Sequence, residues 1–144
     1  MLVCESFSYR ALPAPTIPGI ECVGLGWDSV EKLAICLVYC TPNAPAYALP
    51  GLLEAATAWK LQYPRVIILG DFNIHADEPV SRQNTDLVSS MAKLGFSQFI
   101  AGPTHQAGHT LDLILRAGLD VVLATTVIDR HQQNCTPPAT PLLS

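Results

Sequence analysis

The sequence predicts an α/β fold, and three observations carry that prediction. Leu33–Tyr39 (LAICLVY) and Val66–Leu69 (VIIL) are short apolar runs rich in strand formers, the pattern of strands covered on both faces. Between them Leu52, Leu53, Ala56, Trp59 and Tyr63 recur near helical spacing, with Glu54 and Lys60 off that stripe. Strand, amphipathic helix, strand is the unit from which layered α/β folds are built.

The remaining elements follow in chain order. From Met1 to Gly26 short apolar pieces flank Leu12–Gly19, where Pro13, Pro15 and Pro18 forbid regular helix, so this region reads as strand, loop, strand. Pro42–Pro50 is a loop, Leu52–Tyr63 is the first helix, and Pro64 ends it. Leu87, Val88, Met91 and Leu94 mark a second helix over Thr85–Leu94, with Asn84 or Thr85 as cap and Gly95 as stop. Phe96–Ile100, Thr110–Leu115 and Leu119–Thr125 read as strands, separated by Gly102-Pro103 and Ala117-Gly118. After Val127 the composition turns to Gln, Asn, Thr and Pro, so residues 128–144 are expected to form a disordered tail.

Composition bounds the function. A chain of 144 residues, 49% hydrophobic and 14% charged, has the size of one globular domain. A formal charge of -4 excludes a broadly basic surface, so any DNA contact would be local or metal-assisted. Five cysteines (Cys4, Cys22, Cys36, Cys40, Cys135) form an odd set without a C-x-x-C pair, which favours buried free thiols over a disulfide framework or a zinc ribbon. The apolar runs are short, and no basic flank leads into a long apolar block. Neither a membrane span nor a secretion signal is expected, and the chain is expected to be intracellular.

Two stretches carry chemistry. In VIILGDFNIHAD a strand runs into Gly70, Asp71, Phe72 and Asn73. Alternation along a strand would send Asp71 and Asn73 to one side and Phe72 to the other, placing a carboxylate and an amide together where α/β ligand sites lie. The alternative is a strand that simply ends in an Asp/Asn turn. In GPTHQAGHTLDLIL, Thr104, His105, His109, Thr110 and Asp112 crowd into a loop and the strand after it. Asp112 sits among Leu111, Leu113, Ile114 and Leu115, where a buried carboxylate needs a hydrogen-bonding or cationic partner. An oriented histidine is one such partner, and a structural turn cap is the other reading. His75, Asp77, His105 and His109 do not have zinc-site spacing, because Pro103 and Gly108 make the histidine pair part of a loop.

These two motifs, preceded by ICLVYCTPNAP and, further back, by SFSYRALP and GIECVGLGW, occur in an order that resembles the endonuclease/exonuclease/phosphatase superfamily. The likeness is greatest to the apurinic-type endonuclease domain of non-LTR (LINE-type) retrotransposons, and spans about Phe7 to Thr126. It implies a partial domain over residues 1–127, part of a four-layer α/β sandwich of two packed β-sheets with outer helices, incomplete at both ends. It also implies a reverse-transcriptase-associated, Mg²⁺-dependent hydrolase acting on DNA, for which a nuclear location would be needed. By resemblance Asp71 positions and deprotonates the attacking water, and Asn73 contacts a phosphate oxygen; both are expected near the metal. Tyr39 resembles the phenol that reaches the scissile phosphate, and Asp112 the carboxylate that orients a catalytic histidine. On the residues alone, Tyr39 could equally be a core aromatic.

Family members also carry an Asn and a metal-binding Glu on two earlier strands, and close with a Ser-Asp-His triplet. Glu5 is not in a matching context, and the nearest text to the triplet is VIDRHQQN. Asp129 and His131 would share a strand face where an adjacent pair points oppositely, so they are not equivalent. Activity is therefore expected to be impaired. An inactive retroelement remnant kept for binding, or a phosphatase acting on a small phosphoester, stands as the alternative.

Overall fold

The computed structural model describes residues 8–28, 32–45, 48–73, 82–100, 104 and 112–118. Their elements are β1 (Arg10–Leu12), β2 (Ile20–Trp27), β3 (Leu33–Cys40), α1 (Ala48–Gln62), β4 (Arg65–Asp71), α2 (Arg82–Lys93), β5 (Ser97–Gln98) and β6 (Asp112–Ala117). The strands form one sheet in the order β1-β2-β3-β4-β6-β5. Among the paired strands only β3 and β4 are parallel, with α1 as the crossover that returns the chain to its starting edge. A mixed α/β fold, with helices packed on a multi-stranded sheet, is what these residues build.

Both helices differ from their expected bounds for local reasons. α1 begins at Ala48 and contains Pro50 as its third residue, a position where the missing N–H has no intrahelical acceptor to lose. α2 begins at Arg82, so Asn84 and Thr85 lie within its first turn instead of capping it. Gly95 ends α2 as expected: its φ is 83°, and the Phe96 N–H donates back to the Met91 carbonyl at 2.9 Å. β5 is shorter than Phe96–Ile100, although the Phe99 N–H still bonds the Ile114 carbonyl. The strand expected at Leu119–Thr125 and the tail expected at 128–144 lie outside the described residues. Among those described, no helix is long and apolar enough to cross a membrane.

The sheet has two unlike faces. Ala34, Cys36, Val38 and Cys40 of β3, with Val66 and Ile68 of β4 and Leu113 and Leu115 of β6, join one core with Leu52, Ala56 and Trp59 of α1 and Leu87 and Met91 of α2. On the opposite face β3 carries Leu33, Ile35, Leu37 and Tyr39, of which the last two are each 41% exposed, and neighbouring Val23 is 54% exposed. The expectation that LAICLVY is covered on both faces is thus corrected. Helices lie on one side, and burial alternates along the strand.

Gly70 lets β4 approach β3 closely. Its φ is 150°, and a Cβ there would stand 1.7 Å from the Val38 carbonyl oxygen. At the far end of the sheet, Arg10 Nε donates to the Tyr63 hydroxyl (2.8 Å), which donates to Asp28 Oδ1 (3.2 Å). Gly26 makes room for that hydroxyl, since a Cβ would come within 2.2 Å of it.

Cys22, Cys36 and Cys40 are free thiols. Burial first, and then neighbouring Cys22, pushes the Cys36 and Cys40 thiols up to about 12 from 9.0, with Asp71 adding to the effect on Cys40. Between pH 9 and 12 the unfolded chain releases protons that the fold retains, so these thiols lower stability as pH rises through that window. We predict that the urea midpoint falls from pH 9 upward, and falls less in Cys36→Ala/Cys40→Ala. Gly70→Ala should cost about 3–5 kcal/mol through steric overlap and backbone strain, read as a shift of the same midpoint at pH 7.

Candidate active site

Strand register brings three of the sequence-predicted residues onto one line. Tyr39 of β3 stands opposite Asp71 of β4, and Asp71 stands opposite Asp112 of β6. Residues paired in register share a face, and here it is the face away from the helices. The line lies at the carboxyl ends of the parallel pair β3 and β4, the edge at which α/β sheets bind ligands. Asp112 reaches it from the other direction, as the first residue of antiparallel β6.

Asn73 arrives by a different route from the one alternation predicts. β4 ends at Asp71, and Asn73 has the left-handed φ of 47°, a region that Asn tolerates better than most residues. The Asn73 N–H donates to Asp71 Oδ1 at 2.9 Å, and its Nδ2 donates to the Cys40 carbonyl at 2.6 Å. A turn, not the pleat, therefore couples the amide to the carboxylate, and β3 holds the amide in place. Phe72 is 1% exposed, packed into the core as alternation requires.

Asp112 is half-buried at the start of its strand, and its backbone N–H donates to Thr104 Oγ1 at 3.0 Å. Thr104 thereby ties the loop residue and the strand of the second motif together. A histidine partner for Asp112 falls outside the described residues, as do His75, Asp77, His105 and His109. Tyr39 is 41% exposed, so it is not a core aromatic.

Sequence reasoning did not find Glu21, which stands opposite Tyr39 at the outer end of the same line. Its place depends on the β2–β3 register, which no local motif reveals. At roughly 4.8 Å per strand it lies about 10 Å from Asp71, too far to share a small ligand directly. Among the described residues no three His, Cys, Asp or Glu side chains gather as a metal-binding group. The line offers instead two facing carboxylates, a held carboxamide and an exposed phenol, a set able to hold a hard cation or contact a phosphate.

Neither a scan of protein-family models nor a search of curated proteins returns a match to this chain.

Proposed function

We propose that this chain carries part of a divalent-metal-dependent phosphodiester-cleaving site of the endonuclease/exonuclease/phosphatase type, of retrotransposon origin and directed at DNA. The observation that supports the reading most is the single line Tyr39–Asp71–Asp112, with Asn73 coupled to Asp71, at the carboxyl ends of β3 and β4. Motifs 32 or more residues apart in the sequence converge there, as the resemblance requires of them. In this reading the described sheet and its helices are two layers of a four-layer sandwich, and the exposed face is where a second sheet would pack.

Each side chain then has a task. Asp71 accepts the proton of the attacking water. One Asn73 amide hydrogen is committed to the Cys40 carbonyl, which leaves the other to donate to a phosphate oxygen. The Tyr39 hydroxyl, on the exposed face, donates to the same phosphate. Asp71 and Asn73 Oδ1 supply hard oxygen donors that suit Mg²⁺, which binds proteins through one or two carboxylates, and Asp112 is the carboxylate that would orient a histidine. Bound there, Mg²⁺ would neutralise phosphate charge and stabilise the leaving oxygen.

A complete catalytic unit of this type also uses a glutamate ligand and a histidine, for which this sequence has no matching motif. Residues of one catalytic unit act together, so cleavage should be at least about a thousandfold slower than by a complete unit. We predict slow Mg²⁺-dependent nicking of supercoiled plasmid, abolished by EDTA and by Asp71→Ala. Nicking that survives either treatment contradicts the reading. No nicking, with Mg²⁺-dependent DNA binding still lost in Asp71→Ala, identifies the inactive binding remnant instead.

A further inference from the structure

The face of the sheet away from the helices is built like an interior. On β3 the smaller side chains, Ala34, Cys36, Val38 and Cys40, lie under the helices, and the larger ones, Leu33, Ile35, Leu37 and Tyr39, lie on the open side. Register extends this across the sheet: Val23, Leu37, Leu69 and Ile114 form one apolar row, and Leu25, Ile35 and Ile67 form the next. Contiguous apolar rows of this kind mark a surface that packs against another body.

We propose that this face is an interface with a second copy of the chain, the two sheets packing face to face about a two-fold axis. Three observations select that occupant. Apolar sheet faces pack best against another such face, about 10 Å away, and a second copy presents one by construction. The strands, two of them only three and two residues long, give roughly 540 Å² of projected area per copy at about 3.3 Å per residue and 4.8 Å between strands. The pair then buries about 1,100 Å², just above the roughly 1,000 Å² that a specific interface needs.

Charge sets the orientation. On the open face of β4, Arg65 stands at one end and Asp71 at the other. Glu21 and Asp112 share the Asp71 row, whereas Arg116 lies at the other end of β6, stacked on Phe99 at 3.6 Å. A two-fold axis along the strands would place the acidic row on its own copy. An axis in the sheet plane but across the strands lays β4 over β4 in reverse, so that Asp71 of each copy meets Arg65 of the other. That arrangement is isologous and closed, so assembly stops at two copies, and opposite charges oppose across it.

The test is sedimentation velocity and light scattering of the full 144-residue chain in EDTA, so that the outcome is independent of nuclease chemistry. The expected mass is twice 15.5 kDa, reached by reversible association. Val23→Lys/Leu37→Lys, at positions already 54% and 41% exposed in the single copy, should be monomeric while keeping the wild-type circular dichroism and a cooperative melt. Arg65→Glu and Asp71→Arg should each weaken association at least tenfold, and the double reversal should restore it to within about threefold. A monomer at all concentrations, assembly continuing past two copies, a dimer that survives the lysine pair, or a double reversal no tighter than its parents would overturn the proposal.

Discussion

The close approach of Gly70 to the Val38 carbonyl is the constraint on which the alignment of β4 with β3 depends. A side chain at position 70 would overlap that oxygen, so β4 can lie in its parallel register beside β3 only because the residue before Asp71 has no Cβ. That register puts Asp71 beside Tyr39, and the next one puts it beside Asp112. A slip of one residue would send Asp71 to the helix side and a core residue to the open side. The helices guard against this, because Val66 and Ile68 are fully buried beneath them. Core packing and site geometry are thus two consequences of one alignment.

Much of this was legible in the sequence, for reasons that differ from element to element. β3, α1 and β4 were visible because their hydrophobic patterns are long and locally consistent with strand and helix. The carboxylate and amide of the GDFN motif could be paired from sequence because they are two residues apart. Their coupling, however, comes from a left-handed turn at Asn73 that strand periodicity does not describe. The helices start at Ala48 and Arg82, ahead of the Leu52 and Thr85 that periodicity marks, since a first helical turn makes few internal bonds and leaves little imprint on the sequence. The one-sided burial of LAICLVY was invisible because an apolar run has the same appearance whether one face is covered or two. Glu21 escaped notice because its neighbours are set by cross-strand register alone.

The two faces of the sheet divide the chemistry. Toward the helices, burial keeps Cys36 and Cys40 protonated far above the ordinary thiol range, so they behave as small apolar residues. On the other side the same strands carry an acidic line at one end and large apolar side chains over the middle. On the two proposals made above, a phosphate or cation meets the first and a second copy covers the rest. Because Asp71 serves both, as a site carboxylate and as the partner of Arg65 in the second copy, binding and assembly compete for it.

Paramagnetic broadening by Mn²⁺ in place of Mg²⁺, followed by amide NMR, tests the shared line most directly. The account predicts that broadening is strongest at Asp71, Asn73 and Asp112, reaches Tyr39, and disappears in Asp71→Asn. Broadening spread evenly over the acidic surface, or centred elsewhere and unchanged by that substitution, would contradict it.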